Sequence, residues 1–466
     1  MRNILNFEYT TDQKKEIDSL LKKELDTFKE KIVILDDDPT GTQTVNGIKV
    51  YCDWEEETIT DALEKGNKSF FILTNSRSFS YEETVEVHKE IANNLFKNKE
   101  KFLIYSRGDS TLRGHYPIET ETVKNEYEKF SNEKIDGEII CPAFIEGKRV
   151  TIHGVHYIIE QGNLIPVGET EFAKDKTFSY KNSDLGKWCE EKTNKRFLEK
   201  DIIKIYLEDL REININKVLK QIFDVKNFNK IIVDALNYYD LKVFTICMLK
   251  AINLDKRFII RGAASLAKVL VNCEDKDFLT KNEILNYKTK NGGIILVGSH
   301  VSKTTKQLEE LKKSDICQVE FNQHLILNKK KFNEEIERVI KVTENLLEQG
   351  KNVVVYTRRE RFDLPNGTEE EQLKIATEIS HGLIKIIENL KLRPSFIISK
   401  GGITSSDVAT KSLKIKEAIV LGQIVAGIPV WLSGEKSKYP KLPYIIFPGN
   451  VGEEETLKLV YEKIKN

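Results

Sequence analysis

Short apolar runs separated by polar segments recur along the chain and predict the buried strands of parallel sheets. In the first half the runs are KIVIL, SFFILT, KFLIYS, GEIICPAF, KIIVDAL and RFIIRGAAS. They are rich in Ile, Val and Phe and do not alternate with polar residues, which is typical of strands covered on both faces. Intervening segments such as SYEETVEVHKEIANNLFKNKEK read as helices. The pattern predicts an α/β fold with helices on both faces of each sheet.

Two segments depart from this rhythm. Near the N-terminus, Ile17, Leu20, Leu21 and Leu25 recur at helical spacing and predict a charged amphipathic helix. Later, the runs HYIIE and NLIPV flank Gly162-Asn163, which predicts a β-hairpin attached to the first sheet.

The polar stretch after residue 273 predicts a boundary, because the strand-and-helix pattern restarts beyond it with GIILVGSH. We therefore predict two α/β domains, each a mainly parallel sheet flanked by helices, with the hairpin in the first. The expected segments are a helical extension at 1–30, a first domain at 31–273, a linker at 274–290 and a second domain at 291–466.

Composition narrows the class of partner. Lys and Arg together number 73, as do Asp and Glu, so the net charge is zero. Nucleic acids and anionic membranes both select a basic excess, and neither is expected as a partner. The six cysteines form no C-x-x-C pair, and no apolar leader or run of membrane-spanning length occurs. We expect a cytoplasmic protein; the sequence leaves open whether it forms a homodimer.

Charged residues follow the predicted strands of the first domain, where ligands bind in open α/β sheets. The loops DDDPTGT, TNSRS and SRGDSTLRGH carry Asp37, Asp38, Arg77, Asp109 and Arg113. Arginines grip carboxylates or phosphates with two nitrogens, whereas aspartates and hydroxyls suit a polyol. The set predicts a site for a small hydroxylated anion. The alternative is that these are ordinary loop residues that cap helices.

The loops of the second domain, GSHVSKTT, SKGGITSSD and PGNVGEE, are rich in glycine and hydroxyls. Glycine lets backbone N–H groups approach phosphates, and a following helix N-terminus favours negative charge. GSHVSKT is not a Walker A loop, because Lys303 stands where the motif needs glycine. No Gly-x-Gly occurs, which argues against a dinucleotide-binding oxidoreductase.

Two of the histidines have a spacing that metal ligands can have. His153 and His156 lie three residues apart without a third ligand cluster, so we expect them to be structural. His115 follows STLRG and is the better candidate for ligand contact. The sequence leaves the ligands of any metal open.

Together these motifs resemble the four-carbon acid sugar kinase family. DDDPTGTQTV, LTNSRS, SRGDSTLRGH, CPAFIEGKR and PVGETEFAKDKTF are similar to its N-terminal substrate-binding domain. VGSHVSKTTKQL, SKGGITSSDVA and FPGNVGEEETL are similar to its C-terminal nucleotide-binding domain. The similarity runs from about Ile32 to about Leu457 in the family's order. Departures include Ile403, where many members carry an acidic residue, and FPGNVG, which lacks the lysine of the family's loop.

The resemblance implies an ATP-dependent kinase that uses Mg²⁺ and phosphorylates threonate, erythronate, 3-oxo-tetronate or a related acid. A kinase needs a group that accepts the proton of the attacking hydroxyl, and Asp37 and Asp109 are the two candidates for this general base. The expected substrate-binding residues are Asp38, Thr40, Arg77, Ser110, Arg113 and His115. The expected nucleotide-binding residues are Ser299, Lys400, Gly401, Gly402, Thr404, Gly449, Asn450 and Gly452. Two alternatives remain: a catalytically silent binding protein on the same scaffold, and, less favoured, the oxidoreductase.

Overall fold

The structure is a computed structural model that describes residues 5–98, 100–285, 289–365, 367–449 and 451–465. The strands in this part of the chain are β1 (Lys31–Asp36), β2 (Lys49–Tyr51), β3 (Ser69–Leu73), β4 (Phe102–Arg107), β5 (Gly137–Cys141), β6 (Arg149–Ile152), β7 (Val155–Glu160), β8 (Asn163–Pro166), β9 (Ile203–Ile205), β10 (Asn229–Val233), β11 (Phe258–Gly262), β12 (Ile294–Val297), β13 (Cys317–Phe321), β14 (Val353–Thr357), β15 (Ile397–Lys400), β16 (Glu417–Val425), β17 (Ile428–Ser433) and β18 (Pro443–Phe447).

The α-helices in the same part of the chain are α1 (Thr11–Thr27), α2 (Glu56–Glu64), α3 (Tyr81–Phe96), α4 (Ile118–Ser131), α5 (Leu185–Lys192), α6 (Leu207–Arg211), α7 (Ile215–Phe223), α8 (Tyr238–Asn253), α9 (Ala264–Leu270), α10 (Lys281–Ile284), α11 (Ser302–Lys312), α12 (Lys329–Glu348), α13 (Glu369–Asn389), α14 (Gly402–Asp407) and α15 (Thr456–Ile464). A reciprocal capping box of Thr10 and Gln13 begins α1, and Ile17, Leu21 and Leu25 bury its apolar face.

The chain divides into two compact units. The first unit comprises Met1–Gly41 and Asp53–Glu274, and the second comprises Thr42–Cys52 and Asp275–Asn466. The sequence predicts residues 42–52 in the first domain, but in the structure they belong to the second unit. The reason is that β2 pairs antiparallel with β16, Tyr51 lying opposite Glu417, and that Trp431 donates a 2.8 Å hydrogen bond to the Thr42 hydroxyl.

The sheet of the first unit has the strand order β3-β1-β4-β11-β5-β10-β9, and all its neighbours are parallel. All residues of β4, β5 and β11 are buried, which explains their unbroken apolar runs. Parallel pairing brings the carboxyl ends of β3, β1, β4 and β11 to one edge. The charged loops of the first unit follow these ends.

The predicted hairpin is present as β7 and β8, but it does not join the main sheet. It forms a separate three-stranded antiparallel sheet with β6. The sequence could not show this, because β6 is short and carries no distinct apolar run.

The sheet of the second unit has the order β13-β14-β12-β15-β18-β17-β16-β2. Neighbours from β13 to β18 are parallel, and those from β18 to β2 are antiparallel. The run AIVLGQIVAGIPVWL is therefore a hairpin of β16 and β17, turning at Gly427 with φ of 77°. The predicted class, α/β with two sheets flanked by helices and a small hairpin sheet, is confirmed.

Candidate functional site

Two arginines join the three adjacent aspartates at the end of β1. Arg77, from the short turn after β3, donates Nη2 and Nε to the two carboxylate oxygens of Asp37 at 2.6 and 3.1 Å. Its Nη1 lies 3.4 Å from Asp38. Arg107, the last residue of β4, places Nη1 3.3 Å from both Asp36 and Asp37. Neighbouring side chains of an extended segment point to opposite faces, and the two guanidinium groups bridge the separated carboxylates.

Burial and pairing set different protonation preferences along this run. Burial raises the pKa of Asp36 to about 7, although Arg107 opposes the shift. Burial likewise raises the pKa of Asp37, against the influence of Arg77 and Arg107. Burial acts on Asp38 too, but Arg77 and the hydrogen bonds from Thr40 prevail and lower the pKa of its carboxyl.

Gly41 is required by the Asp36 side chain. A Cβ atom at this position would lie 2.1 Å from Oδ2 of Asp36. The absence of a side chain at Gly41 therefore leaves space for the buried Asp36 carboxylate.

Asp109, in the loop after β4, forms a second acidic centre. Its Oδ2 accepts hydrogen bonds from Arg113 Nε at 2.8 Å and from the Thr111 hydroxyl. Its Oδ1 lies 4.0 Å from Arg77. Burial favours the protonated form, but Arg77 and Arg113 outweigh it and hold the pKa of Asp109 well below its usual range.

The remaining expected substrate residues lie in the same loops. The backbone N–H of Thr40 donates to Asp38 at 2.8 Å. The Ser110 carbonyl lies 2.8 Å from Nε2 of His156. Nε2 of His115 lies 2.9 Å from the Phe79 carbonyl, and its ring packs edge-on against Phe178.

The two histidines expected to be structural contact different residues. His156 is buried and contacts Thr151 and Ser110, whereas His153 pairs with Glu208 at the surface.

Sequence reasoning missed a buried pair behind the aspartates. Arg261 lies on β11, with Nη2 3.6 Å from Glu119 in the first turn of α4. The Ser76 hydroxyl donates to Glu119 at 2.7 Å. A Cβ at Gly108 would collide with the Arg261 guanidinium. The sequence feature that could have indicated this pair is Arg261 itself, an arginine near the end of an apolar run.

In the second unit, the loops after β12 and β14 are tied together. Arg359 Nη2 donates to the Ser299 carbonyl at 2.6 Å and to the Thr305 hydroxyl at 2.7 Å. Thr357 donates to the Gly298 carbonyl at 3.2 Å. Sequence reasoning selected Ser299 and missed Arg359.

Lys400, the last residue of β15, is buried beside the loop that follows β18. Its Nζ donates to the carbonyls of Pro448 and Gly449 at 2.7 and 3.1 Å. Burial, reinforced by Lys303, lowers the pKa of Lys400 to about 7. A lysine therefore stands beside the FPGNVG loop even though the loop itself contains none.

The glycine-rich turns begin at the same edge. Gly401 has φ of 114°, donates its N–H to the Phe447 carbonyl at 2.8 Å, and precedes α14, which begins with Gly402 and includes Thr404. Gly449 follows β18, Gly452 has φ of 81°, and Asn450 lies outside the described residues. The order β12-β15-β18 brings Ser299, Lys400 and Gly449 to adjacent strand ends.

Side chains for a closed metal cage do not occur among the described residues, where no three His, Cys, Asp or Glu groups cluster as metal ligands would. Mg²⁺ usually keeps several waters and binds one or two carboxylates plus nucleotide phosphates. Because Asp37 and Asp109 are held by arginines, these residues do not form a ready Mg²⁺ site, and we assign no protein ligand.

Two family models match the chain and account for both groups of loops. Residues 32–270 match the Sugar-binding N-terminal domain, and residues 294–457 match the Nucleotide-binding C-terminal domain. The chain thus combines a domain of the sugar-binding type with a domain of the nucleotide-binding type. The chain belongs to the DUF1537 family, which carries the domain pair of the four-carbon acid sugar kinases.

Solved structures share the fold at low sequence identity. Haemophilus influenzae HI1011, a DUF1537 protein, is 18% identical over 92% of this chain and 99% of its own, with a TM-score of 0.62. A Salmonella typhimurium LT2 protein, provisionally described as a tRNA synthase, is 17% identical over 92% of this chain and 98% of its own, with a TM-score of 0.64. The search of curated proteins produced no match.

A helix that spans a membrane needs about 20 predominantly apolar residues. Within the described ranges, no helix combines the length and the apolar character needed to cross a membrane.

Proposed function

We propose that the protein is an ATP-dependent kinase that phosphorylates a hydroxyl of a four-carbon sugar acid or its oxo form. The observation that carries this proposal is the network of the buried Asp37 with the partly buried Asp109, Arg77 and Arg113 at one edge of the sugar-binding unit. Such a network offers carboxylates for hydroxyl groups and a positive surround for an anion. The nucleotide-binding family match supports ATP as the donor.

Phosphoryl transfer depends mainly on positioning and charge neutralisation. In our proposal Asp37 accepts the proton of the attacking hydroxyl. Its pKa is raised by burial, whereas that of Asp109 is held well below its usual range, and a base is more effective when its pKa lies near the working pH. Asp109 instead positions Arg113 and Thr111. Asp38, Thr40, Ser110 and His115 are the expected contacts for the rest of the acid.

The nucleotide side is assigned to backbone N–H groups and cations of the second unit. The first turn of α14 contains Gly402 and Thr404, and Gly401 directly precedes it. Gly452 lies in the turn before α15. Phosphates are favoured at helix N-termini. Lys400 and Ser299 are the neighbouring polar groups. Mg²⁺, when bound with the nucleotide, supplies charge neutralisation on the phosphates.

The test is an ADP-release assay with ATP and Mg²⁺ over threonate, erythronate and 3-oxo-tetronate. We expect acid-dependent ADP release with at least one of these compounds and no turnover of NAD(P). Tight binding of ATP and acid in thermal-shift measurements without ADP release would favour the silent binding protein. Tight NAD(P) binding with oxidation of the acid would favour the oxidoreductase.

A further inference from the structure

Five arginines border or support the candidate acid site, and four of them already have carboxylate partners. Arg77 binds Asp37, Arg107 binds Asp36 and Asp37, Arg113 binds Asp109, and Arg261 lies beside Glu119. The fifth, Arg149, forms no ion pair with any carboxylate in the described part of the chain. Arg77 and Arg113, which the sequence analysis includes among the expected substrate-binding residues, are thus already paired with Asp37 and Asp109.

Arg149 is held in place by its own turn. It begins β6, and its backbone exchanges two hydrogen bonds with Phe144, at 2.9 and 3.0 Å. Its Nη1 donates to the Gly147 carbonyl, while its Nε is buried without a partner. Burial lowers the pKa of the guanidinium, which indicates a cation whose desolvation is not fully compensated.

The sheet that carries Arg149 is fixed to the loop that carries Asp109. Thr151 of β6 lies opposite His156 of β7, and the His156 ring contacts the Ser110 carbonyl at 2.8 Å. Asp109 and Glu160 oppose the effect of burial on the pKa of Arg149, whereas Arg113 adds to it. The unpaired guanidinium therefore belongs to the surroundings of the acid site.

A substrate carboxylate that bound Arg77 or Arg113 would have to compete with Asp37 or Asp109, exchanging one ion pair for another. Binding to Arg149 would compensate a partly buried cation without breaking an existing ion pair. We infer that Arg149 binds the carboxylate of the acid and sets the preference for an acid over the neutral polyol. This inference rests on the proposed function, because it presumes that the ligand is a sugar acid.

The experiment compares Arg149→Gln with Lys148→Gln, which removes the same charge from the adjacent exposed position. The dissociation constants of threonate and erythronate are measured by calorimetry with and without nucleotide, beside those of the neutral polyols threitol and erythritol. We expect Arg149→Gln to weaken acid binding about 10- to 100-fold, as expected for loss of charge-assisted hydrogen bonds, and to leave polyol binding unchanged. Lys148→Gln should bind the acid like the unaltered protein.

A third variant, Arg149→Lys, guards against misfolding, because it keeps the charge and the aliphatic stem. It should retain part of the affinity, because it keeps the charge, but lysine cannot bind a carboxylate through two nitrogens as arginine does. Unchanged acid binding in Arg149→Gln, or equal losses in Arg149→Gln and Lys148→Gln, would overturn the inference while leaving the kinase proposal intact. Acid binding that depends on Arg149 without ADP release in the unaltered protein would support the inference and refute the kinase proposal. If the unaltered protein bound no acid under either condition, both would fall.

Discussion

Arg77 holds both carboxylate oxygens of Asp37, at 2.6 and 3.1 Å, although the two residues are 40 positions apart. This pairing orients Asp37 and keeps a buried carboxylate from being left without a partner. It also means that any role of Asp37 in proton transfer is exercised from a fixed position. The parallel pairing of β1 with β3 brings the two strand ends together.

The proposed division of work between the two carboxylates predicts different kinetic effects. Asp37→Asn should lower kcat by about 10²–10⁴, the usual contribution of a general base. Asp109→Asn should chiefly raise the KM for the acid, because Asp109 positions Arg113 and Thr111. Steady-state ADP release measures both, with thermal unfolding as the control for folding. Near-normal kcat in Asp37→Asn would refute the base assignment, and a larger kcat loss in Asp109→Asn would reverse the roles.

The contact between Gly41 and Asp36 predicts a cost in stability. Gly41→Ala should lower the free energy of unfolding by about 1–3 kcal/mol, because the added Cβ would overlap the buried Asp36 carboxylate. Denaturant unfolding is the measurement. Gly449→Ala is the matched control, since no atom outside its neighbours lies within 4 Å of an added Cβ there. Equal stability of the two variants would contradict the explanation.

The lowered pKa of Lys400 predicts that nucleotide binding depends on pH. Its pKa is lowered to about 7 by burial and by Lys303, so it becomes cationic as the pH falls from 8 to 6. If it contacts the phosphates, ADP should bind more tightly over this fall, by about fivefold relative to Lys400→Met if binding raises the pKa of Lys400 by about one unit. Calorimetric titration of both proteins with ADP at several pH values is the measurement. Lys400→Met corrects for titration of the nucleotide itself. If ADP affinity changed with pH in the same way in both proteins, a contact between Lys400 and the phosphates would be excluded.

The lowered pKa of the buried His156 predicts that the protein loses stability in acid. Burial lowers the pKa of its imidazole from the ordinary 6.5 to about 4, so between these values the unfolded chain binds a proton that the folded protein does not. The free energy of unfolding should therefore fall as the pH is lowered from 6.5 to 4, by up to about 3 kcal/mol from this group. Denaturant unfolding of the unaltered protein and of His156→Gln measures the difference. Plots of the free energy of unfolding against pH should be parallel for the two proteins between pH 7 and 8 and should separate below pH 6.5. If they stayed parallel down to pH 4, the role of His156 would be disproved.

Local pattern was sufficient for most of the strands and for the position of the candidate loops. The runs KIVIL, SFFILT and KFLIYS became β1, β3 and β4 because an unbroken apolar run has few alternatives to a strand covered on both faces. Short strands such as β2, β9 and β13 were missed. β2 and β9 are only three residues long, and in β13 exposed residues alternate with buried ones.

The pairing of charges could not be predicted in the same way. The sequence by itself determined that aspartates and arginines follow buried strands, since that depends only on residues next to each other in the chain. Only the tertiary structure decided that Arg107 lies beside Asp36, through the register of β1 with β4. It also decided that Arg149 forms no ion pair with a carboxylate of the described residues. It also decided that residues 42–52 belong to the second unit. Strand order and register arise from packing between distant segments, and the spacing of residues along the chain does not encode them.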